Sequence, residues 1–73
     1  MEIKNTNLEP TFKGVKVHPN AFVDPKAELD DGVTISSGAI IGPNTVIGRG
    51  SEIGPNVVIE GRTAIGKNNK VFP

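Results

Sequence analysis

The amino-acid sequence predicts an all-β chain, a parallel β-helix assembled from hexapeptides, and three observations carry that prediction. An aliphatic residue returns at every sixth position without a gap: Val17, Val23, Leu29, Ile35, Ile41, Ile47, Ile53, Ile59, Ile65 and Val71. Six is a multiple of the strand period of two but not of the helical 3.6, so an extended backbone keeps this side chain on one side and a helix would scatter it. Two residues earlier stands a small or β-branched residue, namely Val15, Ala21, Ala27, Val33, Ala39, Thr45, Ser51, Val57 and Thr63, with Asn69 as the exception. Two residues after the aliphatic, Pro19, Pro25, Pro43 and Pro55 recur, and the next position holds Asn20, Gly32, Gly38, Asn44, Gly50, Asn56 or Asn68.

Each hexad therefore reads as a short strand with one small and one large inward residue, followed by a corner. Proline followed by Asn or Gly is the signature of a type II turn, whose third residue needs positive φ. Along the chain the strands end in turn on Val17, Val23, Leu29, Ile35, Ile41, Ile47, Ile53, Ile59, Ile65 and Val71. Lys26 and Arg62 occupy the corner position reserved for Asn or Gly, so each is either strained or placed in a different turn. Such a rung has no core of its own and buries its inward face by stacking on its neighbours. Residues 1–14 stand outside the repeat, although Ile3, Leu8 and Phe12 could cover something apolar. They are expected to be an N-terminal arm or cap over the first rung's open strand edge, or else a mobile tail; residues 15–73 form the β-helix.

Composition excludes several function classes. Eight Lys and Arg balance eight Asp and Glu, so no polyanion partner is implied. The absence of cysteine excludes disulfides and thiolate metal sites, and it fits a reducing cytoplasm. There is no Trp or Tyr, and Phe12, Phe22 and Phe72 are not set among basic residues, which argues against a nucleic-acid stacking platform. The stretch from Met1 to Gly14 has no continuous apolar run, so neither a signal peptide nor a membrane span is expected.

The segments Ile41-Gly42-Pro43-Asn44, Ile47-Gly48, Ile53-Gly54-Pro55-Asn56 and Ile65-Gly66-Lys67-Asn68 resemble the repeats of the hexapeptide-repeat acyltransferases. That resemblance implies a left-handed parallel β-helix, against the usual right-handed crossover. It also implies triangular coils of about eighteen residues, and about three coils fit in this chain. Three interior columns then follow: Val17, Ile35, Ile53 and Val71; Val23, Ile41 and Ile59; Leu29, Ile47 and Ile65.

Within that class, Val17-His18-Pro19-Asn20-Ala21-Phe22-Val23 and the stretch from Val57 to Pro73 look like the N-terminal coils of the UDP-N-acetylglucosamine 3-O-acyltransferase family. The family resemblance implies transfer of a hydroxyacyl chain from acyl carrier protein to a UDP-sugar in lipid A synthesis. It further implies a catalytic His on a coil beyond Pro73, with the nucleotide-sugar contacts also downstream. The chain is thus expected to be an N-terminal fragment, inactive alone, with no catalytic, cofactor-binding or metal-ligating residue of its own. Two alternatives remain open, another hexapeptide-repeat transferase and a non-catalytic mini β-helix scaffold.

The polar residues that invite a chemical role are each met by a plainer one. His18 is the only histidine and follows a core valine at a corner, where a solvated residue is expected. Catalytic zinc takes three protein ligands, and one His per chain does not furnish the zinc set of the γ-class carbonic anhydrase type. Asp24, Asp30 and Asp31 cluster in sequence, yet the repeat places Asp24 and Asp30 at different corners, against shared metal binding or paired acid–base work. Gly48-Arg49-Gly50-Ser51-Glu52-Ile53-Gly54 has the wrong spacing for a dinucleotide fingerprint and no helix after it. Thr34, Thr45 and Thr63 are not expected to align into an ice-binding ladder.

The outward position before each aliphatic is more informative. Grouped by coil, one face shows Lys16, Thr34, Glu52 and Lys70, a second Glu28, Val46 and Ala64, and the third Phe22, Ile40 and Val58. A wholly apolar outward column argues for a partner, since small domains seldom expose such strips. Together with the resemblance it predicts a homotrimer packed through Phe22, Ile40 and Val58; the alternative is a plain strand preference for branched residues.

Overall fold

A computed structural model describes residues 14–73, and within them every regular element is a strand. In chain order they are β1 (Lys16–Val17), β2 (Phe22–Val23), β3 (Glu28–Leu29), β4 (Thr34–Ile35), β5 (Ile40–Ile41), β6 (Thr45–Ile47), β7 (Glu52–Ile53), β8 (Val58–Ile59), β9 (Thr63–Ile65) and β10 (Lys70–Val71). Successive strands never pair. Instead each pairs in parallel with the strand three further on, giving sheets ordered β1-β4-β7-β10, β2-β5-β8 and β3-β6-β9. Val17 lies opposite Ile35, Val23 opposite Ile41 and Leu29 opposite Ile47, an offset of eighteen residues in all three sheets. Three flat ribbons joined by corners make a triangular parallel β-helix. The arm expected at residues 1–14 lies outside the described residues except for Gly14.

The core is the set of columns expected from the sequence. Ile35, Ile41, Ile47 and Ile53 are at most 1% exposed, and between them lie Ala27, Val33, Ala39 and Val57, all buried. Only the end rungs are less covered: Val15, Ala21 and Val23 below, and Ile65 and Val71 above, are partly buried against the same cluster. Two polar residues enter it. The Ser51 hydroxyl donates to the Gly66 carbonyl at 2.6 Å and accepts from the Asn69 amide at 3.1 Å. Thr45 Oγ1 is buried without a partner. Contrary to the sequence expectation, Thr45 and Thr63 do align as register partners, but they stack inward and form no external ladder.

The corners separate into two kinds. Gly14, Gly32, Gly50 and Asn68 occupy one edge of the prism and all have positive φ, between 54° and 76°. Along it the amides of Gly32, Gly50 and Asn68 donate to the carbonyls of Gly14, Asp31 and Arg49, so the turns stack as the strands do. On the edge after β2, β5 and β8, the corner residues Lys26, Asn44 and Arg62 do not have positive φ, which corrects the expectation for Asn44. Lys26 and Arg62 therefore sit in a different turn and are unstrained. Lys and Arg side chains disfavour left-handed backbone, and Asn44 runs directly into the strand at Thr45. The one positive φ there is at Gly61, a position earlier. On the remaining edge Gly38 and Asn56 have positive φ but Asn20 does not, a second correction. Asn20 instead donates its amide to His18 Nδ1 at 3.2 Å and accepts, through Oδ1, from the Gly38 amide and the Ser37 hydroxyl at 2.9 Å each.

Candidate functional site

Alternation along a strand turns the residue before each core aliphatic outward, and parallel pairing then stacks these residues in a line. On the face of β2, β5 and β8, Phe22 lies opposite Ile40 and Ile40 opposite Val58. They are 53%, 45% and 52% exposed. The three stand side by side at the strand spacing of about 4.8 Å, so they make one apolar strip about 10 Å long with no polar residue inside it. The other two faces differ. The β1-β4-β7-β10 face carries Lys16, Thr34, Glu52 and Lys70, and in the β3-β6-β9 face Val46 is flanked by Glu28 and Ala64. Covering the half of each large side chain that is still exposed would contribute about 0.7–1.5 kcal/mol before the entropy of association is subtracted.

The structure separates the polar residues that the sequence singled out. His18 is exposed on the corner after β1, and its Nδ1 accepts the Asn20 amide, so in the neutral ring the proton is on Nε2. It lines a shallow depression of about 300 Å³ with Lys16, Val17, Thr34, Ile35, Ser36 and Ser37, among which there is no carboxylate to orient an imidazole. Asp24 Oδ1 accepts the Lys26 amide at 2.8 Å and Asp30 Oδ1 accepts the Asp31 amide at 2.7 Å, each closing its own corner. Among the described residues no three His, Cys, Asp or Glu side chains come together as a metal site would require.

Sequence reasoning passed over one feature. A second depression, on the edge after β2, β5 and β8, brings Lys26 of the first coil and Arg62 of the third around Asn44, with Glu28 and Val46 beside them. Nothing in linear sequence relates residues so far apart until the coil length is known. Its mixed charge provides no defined ligand geometry.

Parallel pairing at eighteen residues, an aliphatic interior and glycine or asparagine corners define the class: this chain is a hexapeptide-repeat protein, a left-handed parallel β-helix. The family model described as bacterial transferase hexapeptide (six repeats) matches residues 14–49. Among curated proteins the chain is similar to the acyl-[acyl-carrier-protein]–UDP-N-acetylglucosamine O-acyltransferase of Syntrophobacter fumaroxidans, 53% identical over 57 residues, which are 78% of this chain and 22% of the relative. The protein of that name from Neisseria gonorrhoeae is 55% identical over 56 residues, 77% of this chain and 22% of the relative. That of Bartonella bacilliformis is 47% identical over 62 residues, 85% of this chain and 23% of the relative. The chain thus spans about a fifth of the length of these relatives. No solved structure matches it. Among the described residues no helix is long and apolar enough to cross a membrane.

Proposed function

We propose that residues 14–73 are leading coils of an O-acyltransferase that moves a hydroxyacyl chain from acyl carrier protein to UDP-N-acetylglucosamine, a cytoplasmic step of lipid A synthesis. The observation that carries this reading is the identity of 47–55% to relatives named for that donor and acceptor, spread over about four fifths of the chain. The part these coils play is architectural. They hold the register on which further coils of a transferase stack, and they present Phe22, Ile40 and Val58 to two other copies in a homotrimer. The chain's own imidazole carries no step: a general base must reach the proton it removes, and His18 Nδ1 is taken up by a corner amide.

The test is an acyl-transfer assay with purified 73-residue chain, hydroxyacyl-acyl carrier protein and UDP-N-acetylglucosamine. The expected result is no turnover above background, unchanged by His18→Ala. Turnover lost on that substitution would show that these coils carry the chemistry themselves. A longer protein beginning with these coils should transfer the acyl chain, and its failure to do so with this donor and acceptor would favour another hexapeptide-repeat transferase or a scaffold.

A further inference from the structure

One corner of the prism is joined to the coil above it differently from its counterparts. Gly50, Asn56 and Asn68 donate their amides down to the carbonyls of Asp31, Ser37 and Arg49. Each of those carbonyls belongs to the residue just before a left-handed glycine, Gly32, Gly38 or Gly50, so the peptide between the two corner residues turns its oxygen toward the coil above. The corner His18-Pro19-Asn20-Ala21 is also closed, by the Ala21 amide on the His18 carbonyl at 2.9 Å, but Asn20 is not left-handed. Its amide donates to His18 Nδ1 at 3.2 Å, and the Gly38 amide goes to Asn20 Oδ1 at 2.9 Å in place of the Pro19 carbonyl. Turns of type I and type II differ by a flip of this central peptide, and the imidazole nitrogen holds it, by its N–H, in the type I sense. Asp24 does the same one corner on: its Oδ1 accepts the Lys26 amide at 2.8 Å, and Lys26 is not left-handed either.

We propose that His18 is a pH-sensitive latch that selects between two turn geometries at this corner and, with them, two ways of joining the first coil to the second. Neutral imidazole accepts the Asn20 amide, whereas imidazolium is a donor at both nitrogens and repels that N–H. When the ring takes a proton from solvent, the Pro19–Asn20 peptide flips to the type II geometry that proline followed by asparagine favours. Gly38 and Asn56 already show left-handed backbone at the same position of this edge, so the stacked corners accommodate it. The Pro19 carbonyl then turns up to the Gly38 amide, as Ser37 does to Asn56, and Asn20 Oδ1 releases Gly38 and the Ser37 hydroxyl that it holds at 2.9 Å. Among the described residues, those around the ring are Lys16 and Val17 on its own strand and Thr34, Ile35, Ser36 and Ser37 from the coil above. Lys16 is the only charged one, so no carboxylate there takes the imidazolium in exchange. The turn leads through Ala21 into Phe22, so the latch acts at the foot of the apolar strip.

Nuclear magnetic resonance on the full chain, titrated from about pH 8 to about pH 5 across the usual imidazole range, tests this. The cross-peak between Pro19 Hα and the Asn20 amide is weak in a type I turn and strong in a type II turn. On acidification the ratio of type II to type I should rise roughly 2–10-fold, the worth of one exposed hydrogen bond. The Asn20 and Gly38 amide shifts should follow the midpoint of the His18 ring while that of Ile53 stays still. A ring that titrates with no change in the cross-peak would overturn the proposal. Two variants fix the end states: His18→Asp, which keeps a charged acceptor as at Asp24, should show the weak cross-peak at both pH values, and His18→Ala the strong one at both. A weak cross-peak in His18→Ala, or one that still responds to pH, would equally overturn the latch, and the titration of the parent chain decides the matter even if a variant does not fold.

Discussion

Ile41 is the point at which the eighteen-residue register is most open to attack. Its side chain is wholly buried, with Val23 in the column below and Ile59 above. Truncation to alanine removes three carbons from a site whose neighbours are fixed by backbone pairing in both directions, so the rung cannot close over the void. Ile→Ala in a core costs about 2–5 kcal/mol, and restricted collapse puts Ile41→Ala near 4. The described residues number sixty, and at about 0.05–0.15 kcal/mol each the domain holds roughly 3–9 kcal/mol, so this one change consumes much of it. Ile41→Asp should abolish the fold, because an unpaired carboxylate would sit in a dry column. The control is Val46→Ala, beside the buried Ile47 but 46% exposed itself, which should stay within about 0.5 kcal/mol of the parent. Urea unfolding followed by far-ultraviolet circular dichroism, at one fixed protein concentration, measures all three. Equal costs for Ile41→Ala and Val46→Ala, or a normal transition in Ile41→Asp, would refute the inward–outward alternation and the coil length with it.

Other substitutions probe the polar core, the corners and the lateral face. Thr45→Val removes a buried hydroxyl that has no partner and should raise stability by about 1 kcal/mol, whereas Ser51→Ala strips partners from Gly66 and Asn69 and should lower it by about 1–2 kcal/mol, both read as shifts of the urea midpoint. Gly38→Ala adds a Cβ that meets the Asn56 side chain at a left-handed residue, while the same change at Gly61 meets open space, so the first should cost clearly more than the roughly 1 kcal/mol backbone strain of the second. Ile40→Lys places a charge in the middle of the apolar strip and leaves the strand ends intact; sedimentation should show a fall to monomer, and assembly equal to the parent would exclude the lateral interface.

The core was legible in the sequence because one physical constraint, a side chain pointing inward every sixth residue, acts at every slot from Val17 to Val71. The polygon was not legible in that way. A period of six fixes which side of the strand faces inward but not how many strands close a coil, and the resemblance in segments such as Ile53-Gly54-Pro55-Asn56 supplied the three. Corners were legible only in part. Pro43-Asn44 and Pro55-Asn56 are the same dipeptide, yet only Asn56 has positive φ: Asn44 runs straight into a strand at Thr45, whereas Val57 separates Asn56 from the next strand. The outward strip could be read once the coil length was in hand, and the cleft joining Lys26 to Arg62 could not be anticipated without it.

The uniform register has a consequence for how such a chain tolerates insertions and deletions. Because every pairing in all three sheets is offset by eighteen residues, adding or removing that many leaves each downstream side chain in the column it already occupied. A change of six residues is also compatible with the core, since inward residues stay inward, but it turns everything beyond it by a third of a revolution. Placed between Ile41 and Val58, it would carry Val58 away from Phe22 and Ile40 and cut the strip in two without exposing one core residue. Stability and assembly therefore answer to different arithmetic in this molecule: folding reads length modulo six, and the surface reads it modulo eighteen.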